Sequence, residues 1–145
     1  MSTAGLDDGL SAWLVHPKAE AEDGEEELLQ LLSLMSLDVR YEDVPTSSVF
    51  HGHQGIQDMC EAPHAWSEDV SMRVTSRQTD GDHFAIEVIA SGTNTGAMGS
   101  SPATGRLFSY PMASVGRFGP DGLVLEHRDY WDLMSFLRQL VMLPA

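Results

Sequence analysis

Basic side chains are scarce in this sequence. One lysine and seven arginines face 22 acidic residues, giving a formal net charge of −14 at neutral pH. That balance argues against nucleic acid and anionic membrane as partners, because both are held through clustered positive charge. Cysteine is almost absent as well. Cys60 stands alone, so no internal disulfide is expected, and no Cys/His spacing resembles a zinc site. No apolar run approaches the roughly 20 residues that span a bilayer. The first residues lack the basic-then-apolar pattern of a secretory signal, and the expectation is a soluble, cytoplasmic protein. What the chain does have is 145 residues, 42% of them hydrophobic, which is enough for a single domain over residues 1–145 with a substantial core.

Residues 10–16 read as a short helix with Trp13 and Leu14 inward, interrupted at Pro17. After the Asp23-Gly24 turn, Glu25, Glu26 and Glu27 open a helix that runs through Leu28 to Leu32 and reaches Met35; acidic residues there suit the helix dipole. Residues 38–44 alternate as a strand with Val39, Tyr41 and Asp43 on one face, and Pro45 stops it. His51-Gly52-His53-Gln54-Gly55 is a turn into a short helix over residues 56–61. Beyond it, residues 70–79 and 83–95 flank Asp80-Gly81-Asp82, a hairpin signal. Residues 105–118 form a long strand in which Pro111 suits an edge or a bulge. Trp131, Met134, Leu137, Leu140 and Val141 recur at helical spacing. Strands segregated from helices predict α+β, with a strongly curved, mostly antiparallel sheet whose helices enclose a pocket.

The most informative stretch follows the turn Gly119-Pro120-Asp121-Gly122 and runs Leu-Val-Leu-Glu-His-Arg-Asp-Tyr-Trp-Asp-Leu over residues 123–133. Alternation puts Leu123, Leu125, His127 and Asp129 on one face. An ionisable pair ending an apolar face is costly unless it has a task or a partner. Burial would raise the Asp129 pKa toward the range useful for proton transfer, and His127 could tune or share that proton. The competing reading has Asp129 capping the last helix or pairing with Arg128. Asp132, directly before Leu133, is the better cap, and Arg128 points to the opposite face. Tyr41 and Asp43 could reach the same cavity, or Asp43 could simply start the Val44-Pro45 turn. Were both carboxylates to line it, repulsion would part their pKa values into an acid and a base. Tyr110, Met112 and Ser114 alternate along one face as pocket wall or ordinary core. His51 and His53 read as a loop capping the next helix, with a catalytic role in the pocket as the alternative, and residues 92–99 lack the strand–turn–helix setting of a phosphate cradle.

Several segments carry a resemblance. They are Asp38-Val39-Arg40-Tyr41-Glu42-Asp43-Val44-Pro45, His51 through Ile56, Ser91-Gly92-Thr93-Asn94-Thr95-Gly96, Pro102-Ala103-Thr104-Gly105 and Asp121 through Asp132. In their order and spacing the sequence resembles the SnoaL-like polyketide cyclases and the limonene epoxide hydrolases of the nuclear transport factor 2-like superfamily; residues 1–18 match poorly. The resemblance implies a cone-shaped α+β fold, a deep pocket for a small apolar substrate, frequent dimerisation, so that a homodimer is expected, and no cofactor; no metal is expected either. Asp129 falls where both groups keep an acid/base carboxylate. Tyr41 and Asp43 fall where the epoxide hydrolases keep a tyrosine and an asparagine around the attacking water. Their arginine–aspartate pair falls near Ile89 and Ser91, which carry no charge but are expected in the wall of the substrate pocket, and Trp13 would cover the pocket mouth. The implied activity is cofactor-independent acid/base chemistry on a polyketide-, steroid- or terpenoid-like carbonyl compound. Asp129 would drive aldol-type cyclisation or isomerisation, with Tyr41, Asp43 or His127 assisting. An epoxide hydrolase or hydratase using Tyr41, Asp43 and Asp129 is one alternative, and a non-catalytic ligand-binding or interaction module is another, since fold alone does not fix function.

Overall fold

A computed structural model of the chain describes residues 24–142. The helix expected over residues 10–16, and Trp13 with it, lies outside them. Helix α1 (Gly24–Ser33) opens on Glu25, Glu26 and Glu27 and buries Leu31 and Leu32. It ends before Met35, which instead begins strand β1 (Met35–Asp43). Then come β2 (Ser48–His51), α2 (Gly52–Glu61), a 3-10 turn (Ala62–Ala65), β3 (Ser71–Asp80), β4 (His83–Thr93), β5 (Leu107–Phe118), β6 (Val124–Trp131) and α3 (Leu133–Gln139). The fold is α+β, a curved open sheet of six strands with three helices among the described residues.

Strand order is β2-β1-β6-β5-β4-β3. Consecutive hairpins make β3 through β6 antiparallel, whereas β1 meets β6 in parallel, with Tyr41 opposite His127 and Asp43 opposite Asp129. β2 escapes sequence reading because its four residues are too few for alternation to register. Pro111 sits mid-strand, yet the β5–β6 ladder ends at Met112 opposite Trp131, so no strand flanks Pro111 on that side and its missing N–H costs nothing there. The alternation expected along residues 123–129 breaks once. Phe118 pairs with Val124 and Arg117 with Glu126, a bulge at Leu125 that buries Val124 and leaves Leu125 only half-buried.

The concave face of the sheet carries Phe84, Ile86, Val88 and Ala90 from β4 and Phe108, Tyr110 and Met112 from β5. They pack under Ile56, Met59 and Cys60 of α2 and Phe136 of α3. Each fully buried side chain of this size contributes about 1.5–3 kcal/mol. α3 has only seven residues and could not persist alone. It is held by Asp132, whose carboxylate accepts from Ser135 N at 3.0 Å, and by Phe136. The Phe136 ring meets Trp66, Phe108, Tyr110 and Trp131 at centroid distances of 5.1 to 5.7 Å.

Trp66 reaches that cluster because the fully buried Asn94 amide donates to the carbonyls of Trp66 (3.2 Å) and Gly96 (2.9 Å) while accepting from Thr104 N (2.7 Å). Only glycine fits at 96, where a Cβ would stand 2.1 Å from the Ala65 carbonyl oxygen.

Candidate active site

A cavity of about 280 Å³ lies between the concave sheet face and α2, the 3-10 turn and α3. Most of its wall is apolar, with Phe50, Met59, Met72, Met98, Met112, Trp66, Trp131, Leu133 and Phe136 contributing. Its polar groups are Tyr41, Asp43, Thr46, Ser48, Tyr110 and Asp129.

Register brings the ionisable groups together. Ser114 lies opposite Asp129 across β5–β6 and Gly116 opposite His127, while β1 supplies Tyr41 and Asp43 on the other side of β6. Asp129 is 4% exposed. Its Oδ1 accepts from Ser114 Oγ at 2.6 Å and, in the tautomer with a proton on Nε2, from His127 at 2.8 Å. Oδ2 makes no hydrogen bond with any described residue, which leaves it as the oxygen available to a ligand in the cavity that Asp129 lines. Burial holds the Asp129 pKa well above the usual carboxylate range. The cause is lost hydration.

His127 lies behind Asp129 and does not line the cavity. Its ring stacks on Tyr41, with centroids 4.6 Å apart and planes within 9°, and tilts against Phe84 at 5.8 Å. Gly116 keeps this arrangement, since a Cβ there would come within 2.3 Å of Phe84 Cζ and 2.2 Å of the Glu126 carbonyl oxygen. Tyr41 does line the cavity, its ring fixed between His127 and Phe50.

Asp43 stands at both the cavity and a turn. It lines the cavity, and it also anchors the turn after β1: Oδ2 accepts from Thr46 Oγ1 and Oδ1 from Trp131 Nε1 at 2.6 Å.

Met112 and Tyr110 line the cavity, whereas Ser114 sits behind it as a partner of Asp129. Nothing in the local sequence marks that pairing, because the bulge at Leu125 shifts the cross-strand count by one. Ile89 and Ser91 must be corrected. They lie on the opposite sheet face from Val88 and Ala90 and do not line this cavity; Ser91 Oγ is 3.3 Å from Ser71 Oγ instead. Val88 and Ala90, which do face inward, carry no charge either, so β4 holds no arginine–aspartate pair. His53 Nε2 lies 3.0 Å from the Met35 carbonyl oxygen and ties α2 to β1, and neither His51 nor His53 lines the cavity. Met59, Met72, Met98 and Trp66 were not foreseen as wall. Among the described residues no group of three His, Cys, Asp or Glu could hold a metal ion.

The family model for SnoaL-like polyketide cyclases matches residues 22–140. This chain belongs to the SnoaL-like polyketide cyclase family. Solved SnoaL-like and related structures share its fold. TsrD from Streptomyces laurentii aligns with a TM-score of 0.80 at 24% identity over 99% of both chains. A protein with the ketosteroid isomerase-like fold from Catenulispora acidiphila DSM 44928 aligns at 0.74, with 23% identity over 94% of each. IdmH from Streptomyces antibioticus aligns at 0.72, with 22% identity over 93% of this chain and 97% of that one. No curated protein matches the chain. Membership of the SnoaL-like family supports a cyclase- or isomerase-type function.

Proposed function

We propose that this SnoaL-like protein is an acid/base enzyme that cyclises or isomerises a small, mostly apolar, carbonyl-bearing molecule, with Asp129 moving the proton. One observation carries the reading: a buried carboxyl has one oxygen held by two side chains and the other unbonded beside an apolar cavity.

Ionised Asp129 would take a proton from the carbon next to the carbonyl, and the C–H electron pair would move onto the carbonyl oxygen as an enolate. In an aldol closure the enolate carbon then attacks a second carbonyl of the same molecule, a C–C bond forms, and the new alkoxide recovers the proton from Asp129. In an isomerisation the proton returns to a carbon further along the conjugated system. Neither course consumes another reagent.

Burial makes Asp129 a stronger base than an ordinary carboxylate, which suits removal of a weakly acidic C–H. Ser114 and the Nε2–H form of His127 steady the carboxylate from fixed positions. Both reach the substrate only through Asp129 and are positioning residues. The apolar wall limits water that would quench an enolate, and its methionines adapt to an irregular carbon skeleton.

The test uses 1-tetralone, a bicyclic ketone, in heavy water, with exchange of the protons beside its carbonyl followed by nuclear magnetic resonance. The protein should accelerate exchange, and Asp129→Asn should lose the acceleration by about 10²–10⁴-fold. An undiminished rate in that variant removes the enzyme reading. Binding of the ketone without any acceleration would favour a ligand-binding module instead.

A further inference from the structure

Tyr110 has a polar atom that the fold does not use. The residue lies on β5 opposite Ala90, is 6% exposed, and lines the cavity. Its ring is clamped on three sides: stacked on Trp131 at 5.0 Å and on Phe108 at 6.1 Å, and edge-on to Phe136 at 5.3 Å. A ring held this way cannot swing its hydroxyl to a distant partner. Yet the hydroxyl makes no hydrogen bond with any described residue, and it is not walled in, because the cavity opens beside it.

The neighbouring polar groups are already engaged. Thr46 Oγ1 contacts both Asp43 and Ser48 Oγ, and both Asp43 oxygens accept bonds. The hydroxyl faces the mostly apolar cavity with no protein acceptor in place, so an acceptor oxygen of a ligand there would gain its hydrogen bond without displacing another protein partner. Burial, and then the charge of Asp43, push the phenol above its usual range, so it stays protonated and remains a neutral donor.

We infer that Tyr110 is the hydrogen-bond donor for an acceptor oxygen of the ligand, so that the cavity selects an apolar molecule bearing a carbonyl over the matching hydrocarbon. The inference rests on the cavity being the binding site, as the proposed function requires, but it makes no use of proton transfer by Asp129.

The experiment measures binding alone, by equilibrium dialysis of 1-tetralone and of tetralin, its hydrocarbon counterpart. Tyr110→Phe should weaken 1-tetralone about three- to tenfold, the worth of one neutral hydrogen bond, and leave tetralin unchanged. Asp129→Asn should keep that contrast. The infrared carbonyl band of bound 1-tetralone should lie at lower wavenumber in the unaltered protein than for the compound in hexane, a readout that needs no variant. Equal weakening of both compounds by Tyr110→Phe would reduce Tyr110 to packing, and no weakening, no band shift or no binding of either compound would overturn the inference. Loss of the contrast in Asp129→Asn would assign the acceptor to Asp129 and overturn it as well. Failure of the exchange test would leave each of these outcomes readable, so the two ideas fall separately.

Discussion

Replacing Ser114 by alanine reads the protonation state of Asp129 without any knowledge of the substrate. Ser114 is buried, and its Oγ donates to Asp129 Oδ1 at 2.6 Å. Against a neutral carboxyl such a bond is worth about 0.5–1.5 kcal/mol, and against an ionised one about 1.5–3 kcal/mol. The cost of Ser114→Ala should therefore grow by about 1 kcal/mol as Asp129 ionises. In an Asp129→Asn background the acceptor is neutral at every pH, and the cost should not change. Urea unfolding of the four proteins over the pH range in which the folded protein persists closes the cycle. The expected coupling between the two sites is near zero at the acid end and about 1 kcal/mol at the alkaline end. A coupling that is flat with pH would mean that Ser114 does not contact a carboxyl titrating in this range. A coupling largest at the acid end would invert the burial argument.

Two further outcomes follow from the same geometry. Folded Asp129 binds its proton more tightly than the unfolded chain does, so its contribution to stability is complete below the unfolded carboxyl pKa and is lost as pH rises through the raised folded value; Asp129→Asn should gain stability relative to the unaltered protein across that rise, and parallel pH curves in urea unfolding would contradict this. Phe136 is 1% exposed and touches four other rings; Phe136→Ala should cost about 3–5 kcal/mol in the same assay, and a loss below about 1 kcal/mol would mean the ring cluster does not hold α3 to the sheet.

The parts of the fold legible from sequence were those written in local pattern. The Asp80–Asp82 hairpin, the turn at residues 119–122 and the Asp132 cap each carry their own chemistry, and each stands where that chemistry puts it. Asp129 and Tyr41 were legible as candidates because their inward facing follows from alternation within one strand. What failed depended on relations between strands. Leu125 lost its inward place to a bulge, and Ile89 and Ser91 were placed one residue out of phase on β4, where Phe84, Ile86, Val88 and Ala90 set the inward face. Ser114 could be recognised as a partner of Asp129 only once the β5–β6 register was known, and Met59, Met72 and Met98 as wall only once the sheet had curved around them. The Asp43 carboxylate looked free to help hold a water because its donors are remote in one case: Trp131 lies 88 residues away in the chain.

Proton transfer at the cavity requires a carboxyl group that keeps its proton well above the usual acid range. Its most direct test is a carbon-13 titration of aspartate side-chain carboxyls, with the Asp129 resonance identified by its absence from Asp129→Asn. The account predicts a midpoint well above the value of about 3.9 for an ordinary aspartate. A midpoint at or below that value would mean that Asp129 stays ionised as one half of an ion pair with His127, and the base at the cavity would have to be sought elsewhere.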